Sequence, residues 1–239
     1  MKNIIIHVGK CSGTALIVSL NHQKINFEYI HHADNPNPQE IIPLNLIKDL
    51  DNYQFIFCIR HPIDRFISAF NFKYTCGIIR NERNHFQGEI EGFKFFKSIQ
   101  NLAENLYLED GKENSKAFNF CNNCDHMKYG LHHYLKNFND INNIKICRHE
   151  YLKEDYKNIF KQEIFLKEES YQPNFISKFN SSYQKFTKVE ITQKMYANLK
   201  NFLKKDLEII EKLAKDNLIT EEYRDYCVNQ LPHNIILID

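Results

Sequence analysis

Apolar residues fall in short runs whose period changes at each polar break. Ile4–Val8 is an apolar run interrupted by His7 and stopped at Gly9, which predicts a strand. From Thr14 to about Gln23, Leu16, Ile17 and Leu20 recur at helical spacing. Between Ile25 and Ile30, apolar Ile25, Phe27 and Tyr29 alternate with polar Asn26 and Glu28, the pattern of a second strand. Asn35-Pro36-Asn37-Pro38 reads as a loop, and Leu44–Leu50 as a short helix. Phe55–Ile59 is continuously apolar, as in a strand buried on both faces. Pro62 then opens a helix where its missing N–H costs nothing, with Asp64 in the first turn, where the helix dipole favours negative charge.

Further along, Cys76–Gly92 has no period and contains Arg80, Arg83, Asn84, His85 and Gly88, so it predicts a long basic loop. Phe93–Leu108 returns to helical spacing, and Asp110–Asn123 reads as a polar connection. Met127–Phe138 predicts a helix, Ile144–Cys147 a strand, Tyr156–Lys161 a helix, and Ile191–Leu213 one long helix after the polar Asn180-Ser181-Ser182. Strands alternating with helices predict an α/β fold: helices on a parallel central sheet, three-layer α/β/α and P-loop-like, in a single domain over residues 1–239.

Two of the strand-to-helix connections carry chemistry. After the first strand comes Gly9-Lys10-Cys11-Ser12-Gly13-Thr14. Backbone N–H groups of such a loop converge with the unpaired N–H groups of the first helical turn, and Lys10 adds a full charge. Gly13 lets backbone approach a ligand without a Cβ in the way. This is not a Walker A loop, since Ile4 stands where its first glycine belongs and Cys11 replaces the magnesium-binding hydroxyl. The dinucleotide fingerprint fails on spacing as well. Taken alone, the loop fits an incidental strand-to-helix turn equally well. The second connection changes that balance, because the Phe55–Ile59 strand ends in Arg60, with Ser68 on the following helix and Arg65 one turn before it.

Lys10-Cys11-Ser12-Gly13-Thr14 after one strand, and Arg60-His61-Pro62-Ile63-Asp64-Arg65-Phe66-Ile67-Ser68 after a later one, resemble the sulfotransferases that use 3′-phosphoadenosine 5′-phosphosulfate (PAPS). The resemblance extends to the carbohydrate sulfotransferases. It implies that Lys10, Cys11, Ser12, Gly13, Thr14 and Ala15 hold the 5′-phosphosulfate, and that Arg60 and Ser68 hold the 3′-phosphate. Many relatives have Pro before the lysine and Thr-Gly or Gly-Gly after it; Gly9 and Cys11-Ser12 depart from that pattern, and Ser12 still offers its backbone N–H. His149-Glu150-Tyr151-Leu152 resembles the family's last core strand and its ending. A basic segment that folds over the nucleotide in relatives would include Lys185 and Lys188. Cys76–Gly92 would be an acceptor-side lid, and the helical segments after about residue 90 would complete the acceptor cleft.

Sulfuryl transfer needs the leaving phosphate stabilised, the acceptor hydroxyl deprotonated and the partners in line. Lys10 serves the first need. The sulfuryl group carries less charge than a phosphoryl group, so no metal is expected. A histidine suits the second need. His31 and His32 follow the second strand, where relatives that sulfate sugars also place a histidine. Strand alternation points the two to opposite faces; His32 is favoured, with His31 beside it and His132 and His133 as runners-up. Cys121-Asn122-Asn123-Cys124-Asp125-His126 invites a zinc reading but supplies only one C-x₂-C pair, so free thiols are the simpler expectation.

Charge and composition exclude rather than identify. Lys plus Arg is 31 against 30 for Asp plus Glu, which gives no case for nucleic acid or an anionic membrane surface. No apolar run reaches the roughly 18 residues of a membrane span. With seven cysteines and no secretory signal, a cytoplasmic protein with reduced thiols is expected. The expected partners are a small donor and a hydroxyl acceptor, read as a saccharide. The rivals are a phosphotransferase with an unusual loop and an inactive module that binds a nucleotide or an anionic glycan.

Overall fold

Ile4, Ile5 and Ile6 have no polar face to turn outward, and a computed structural model of the chain buries all three in a parallel sheet. The structure describes residues 1–31, 50–79, 87–136, 143–166 and 188–238. They form two compact units, one comprising residues 1–60, 129–166 and 208–224, the other residues 61–128, 167–207 and 225–239.

The first unit holds β1 (Lys2–His7), α1 (Gly13–His22), β2 (Phe27–His31) and β3 (Tyr53–Ile59). Also in it are α7 (Leu131–Leu135), β4 (Ile144–Arg148) and α8 (Leu152–Phe160). The four strands run parallel in the order β2-β1-β3-β4, with Ile5 opposite Tyr29 on one side and Ile56 on the other. The chain leaves β1 for β2 in one direction and later returns to place β3 on the other side. The switch of direction therefore lies between β1 and β3, and ligands of open parallel sheets bind outside the carboxyl ends at such a point. The loops of Lys10 and Arg60 are the two that meet there. The expected central parallel sheet flanked by helices is thus observed.

The second unit is built on α2 (Pro62–Lys73), α3 (Gln87–Phe95), α4 (Ile99–Glu104), α5 (Ser115–Asn123) and α6 (Asp125–Lys128). It also contains β5 (Val189–Thr192), α9 (Gln193–Phe202) and β6 (Ile235–Ile238). Two helices, α10 (Lys204–Lys215) and α11 (Glu221–Asn229), have residues in both units. The core of the second unit gathers Phe66, Phe70, Phe93, Phe96, Phe120 and Leu199. His61 caps α2: Ile63 N–H donates to its Nδ1, so Nε2 carries the proton toward the Gln230 carbonyl at 3.2 Å. Among the described residues no helix is long and apolar enough to cross a membrane.

Several expected elements are redrawn. Cys76–Gly92 is not one long loop, because a π-helical turn covers Tyr74–Ile79 and α3 begins at Gln87. Gly88 and Gly92 serve packing: a Cβ on Gly92 would lie 1.8 Å from the Phe120 ring, and one on Gly88 would lie 2.8 Å from the Asn123 side chain. The helix expected over Phe93–Leu108 breaks where Ser98, extended at φ −144°, caps α4 by accepting from Asn101 N–H. Asp110–Asn123 is helical from Ser115 onward, because Asn114 caps α5 and Ala117, Phe120 and Cys121 give it a buried face. The expected Met127–Phe138 helix is two short ones separated at Gly130. Ile191–Leu213 is divided into β5, α9 and α10, since Val189 and Ile191 are buried against β6 before Thr192 caps α9. The Leu44–Leu50 helix and Asn180–Ser182 lie outside the described residues, except that Leu50 opens a 3₁₀ turn, Leu50–Asn52.

Candidate active site at the carboxyl ends of β1, β3 and β4

The site begins with a backbone feature. Lys10 and Ser12 both adopt left-handed φ, at 69° and 65°, and Cys11 between them does not. Such a conformation costs a non-glycine residue about 1–2 kcal/mol, and two of them flanking an ordinary residue is a concentration of strain. Alternation of this kind turns successive N–H groups toward one concave side, the geometry of an anion nest. Cys11 is fully buried beneath the loop, and its N–H donates to the Val8 carbonyl at 3.3 Å. Lys10, Ser12 and Ala15 are half-buried, and Thr14 is exposed.

Gly13 has a packing reason beside the expected ligand approach. It sits in the first turn of α1 against the His7 imidazole, and a Cβ there would lie 2.2 Å from His7 Cδ2. The glycine therefore brings the start of the helix up against the end of β1.

Arg60 leaves the end of β3 half-buried, and its Nη1 donates to the Lys10 carbonyl at 3.2 Å. The guanidinium is thus turned to the loop rather than into the core. One strand further, Arg148 occupies the corresponding end of β4, but its charge is committed. It forms a two-pronged pair with Asp155, 2.9 Å from Nε and 2.6 Å from Nη2, which raises its pKa. Its guanidinium also lies 4.4 Å from the centre of the Tyr151 ring. Arg60 and Lys10 are the strand-end cations placed at the switch point.

His149 follows β4 directly, and its N–H donates to the Ile59 carbonyl at 2.8 Å. Its Nδ1 shares a hydrogen bond with Ser12 Oγ. Ser12 stands at the N-cap of α1, yet its hydroxyl makes no capping bond. Sequence reasoning passed over His149 as a site residue. The available signal was position: it follows its strand as Arg60 follows β3.

The predicted histidines separate. His31 ends β2 in register with His7 of β1, and His32 lies outside the described residues. His132 and His133 are half-buried on α7, and His133 packs against Tyr129 with ring centres 4.3 Å apart. Ser68 is in α2 of the second unit, 5% exposed. Arg65, one turn earlier, is a structural residue: it is fully buried, donates to the His126 carbonyl at 2.7 Å and pairs with Asp206 at 3.7 Å. Glu150, of the last-strand motif, accepts from the Tyr223 hydroxyl at 2.8 Å. Lys185 lies outside the described residues, and Lys188 is exposed just before β5.

The thiols are structural. All seven cysteines are buried. Burial pushes the Cys121 and Cys124 thiols far up, and a hydrogen bond with Cys147, then burial, does the same for Cys58. Among the described residues no three His, Cys, Asp or Glu side chains come together as a metal site.

The family model described as the sulfotransferase family matches residues 7–219, a span that takes in the Lys10 loop, Arg60 and His149. No curated protein and no solved structure matches the chain.

Proposed function

The chain belongs to the sulfotransferase family, and from that premise we propose that it moves a sulfuryl group from PAPS to an acceptor hydroxyl, on a saccharide in our reading. The observation that carries the donor assignment is the junction of Arg60 with the Lys10 carbonyl at the switch point of the parallel sheet. It supports one cationic group for each phosphate end of the nucleotide. Lys10 and the N–H groups of Ser12 through Ala15 face the 5′-phosphosulfate, with Cys11 beneath them. Arg60 takes the 3′-phosphate, and the sequence motif alone assigns Ser68 to the same phosphate. Both units belong to one catalytic domain in this reading, and the seven cysteines, read as reduced thiols, support a cytoplasmic location.

In the reaction the acceptor oxygen attacks sulfur as the bond from sulfur to the bridging oxygen breaks. Negative charge grows on that oxygen, and Lys10 and the loop N–H groups meet it there. The acceptor proton passes to a histidine; His32 and then His31 are the first choices, because His31 ends β2 next to β1 and His32 is the next residue in sequence, and His132 and His133 come second. 3′-Phosphoadenosine 5′-phosphate leaves. The cations are protein side chains and no step calls for a metal.

The test is calorimetry with transfer of labelled sulfate. The protein should bind 3′-phosphoadenosine 5′-phosphate far more tightly than ATP or AMP, and should move label from PAPS to glycan hydroxyls. Equal affinity for the three nucleotides refutes the donor assignment; tight binding without transfer to any acceptor class refutes the enzyme. Alanine at each of the four histidines identifies the base by a loss of roughly 10²–10⁴-fold in turnover.

A further inference from the structure

Ser12 is in the position of a helix cap and does not act as one. At an N-cap, a serine hydroxyl ordinarily accepts from the N–H of the second or third helical residue, here Thr14 or Ala15. In this chain no such bond forms, and the hydroxyl instead bonds His149 Nδ1. Ser12 is held left-handed at φ 65°, ψ 13°, which is not the extended conformation that caps normally adopt. The backbone of the histidine that draws the hydroxyl away is tied to the end of β3 through the Ile59 carbonyl.

We propose that His149 is a positioning residue of the anion loop: by holding the Ser12 hydroxyl off the N-cap, it keeps the first N–H groups of α1 uncapped and aimed at the ligand. A helix N-terminus can satisfy its N–H groups with its own serine or with an incoming anion. The bond between Ser12 and His149 removes the internal competitor. It also fixes the second left-handed residue of the nest, so the loop is shaped before the ligand arrives. Binding then loses less free energy to ordering. The inference rests on the proposed donor site, but its structural half concerns the ligand-free protein and is measured there.

Two readouts separate the layers. The first is amide hydrogen exchange at Thr14 and Ala15, followed by NMR in the free protein. In wild type both amides should exchange quickly. In His149→Ala the released hydroxyl should swing back and slow one of them at least several-fold, and adding Ser12→Ala should abolish the slowing. The second readout is affinity for 3′-phosphoadenosine 5′-phosphate. His149→Ala should weaken it about 3- to 10-fold, the worth of one hydrogen bond. The double variant Ser12→Ala/His149→Ala should regain the affinity of Ser12→Ala alone, since no hydroxyl remains to compete. A merely structural histidine predicts the opposite, a double variant at least as weak as His149→Ala. Unchanged exchange at both amides in His149→Ala, or no recovery in the double variant, overturns the proposal. If wild type fails to bind the nucleotide while the exchange pattern holds, the donor assignment falls and the role of His149 in the loop stands. His149→Phe keeps the ring's bulk without a nitrogen and gives the same readouts should the alanine variant not fold.

Discussion

The Arg60 guanidinium donates to the Lys10 carbonyl across 3.2 Å, joining the loop after β3 to the loop after β1. Each loop follows one of two neighbouring parallel strands, so the bond ties the two loops together at the switch point. Arg60→Ala should weaken binding of 3′-phosphoadenosine 5′-phosphate by about 1.5–3 kcal/mol, the scale of a charged hydrogen bond. Arg60→Lys should restore little, because a lysine ammonium cannot reach the carbonyl and a phosphate with separate arms of one planar fork. Calorimetry checks both, and intact affinity in Arg60→Ala would remove Arg60 from the site.

Lys10 should differ from Arg60 in which constant it moves. In the proposed donor site its charge would face the bond that breaks, so its stabilisation would grow as the bridging oxygen becomes anionic. Lys10→Ala should lower turnover by roughly 10²–10³-fold. The accompanying change in affinity for the desulfated nucleotide should be much smaller. Single-turnover assays with PAPS give the first number and calorimetry the second; a variant that loses affinity but keeps its turnover would reverse the assignment.

Catalysis through protein cations implies indifference to chelators. Activity should be fully retained after exhaustive EDTA treatment, and added magnesium should change it only through ionic strength. A strict requirement for magnesium would favour the rival phosphotransferase reading.

The parts of this site visible in the sequence are those tied to local pattern. Ile4–Ile6 and Phe55–Ile59 announce buried parallel strands, and the residues just after them, Lys10 and Arg60, are found at the edge where such sheets bind ligands. What escaped depends on partners distant in the chain. His149 gains its meaning only when β4 pairs with β3 and brings it to Ser12. Gly13 looked like clearance for a ligand, whereas the atom it clears is in His7. Gly88 and Gly92 read as loop residues because a helix seldom carries two glycines; Phe120 and Asn123 of the neighbouring α5 explain them. Val189–Thr192 is four residues long, too short for its alternation to stand out beside a helical pattern, and its partner strand is at the far end of the chain.

The contact of Gly13 with His7 can be tested by complementation. Gly13→Ala places a Cβ 2.2 Å from His7 Cδ2, so the ring or the helix must move. Overpacking of this kind costs about 1–3 kcal/mol. Since Gly13 is not in the left-handed region, removing the clash should remove the cost. His7→Ala combined with Gly13→Ala should therefore be more stable than Gly13→Ala alone, as read by urea unfolding. Equal stability of the two would show that the glycine is needed for something other than room for the imidazole.

The buried thiols should make stability fall at alkaline pH. Unfolded, each thiol titrates near its ordinary value of 9.0; folded, Cys121 and Cys124 are held well above that by burial. Below pH 9 both states keep the proton and the contribution is constant. Above it the unfolded chain releases protons that the folded chain retains. The unfolded state is then favoured by up to about 1.4 kcal/mol per pH unit for each such thiol, until the folded values are reached. The urea midpoint should drop between pH 8 and pH 10, and Cys121→Ala/Cys124→Ala should flatten that drop even though the lost packing lowers its midpoint at pH 8. Lysines and tyrosines titrate in the same range but are common to both proteins, so the difference between the two slopes isolates the thiols. Parallel slopes would mean that Cys121 and Cys124 reach solvent in the native state.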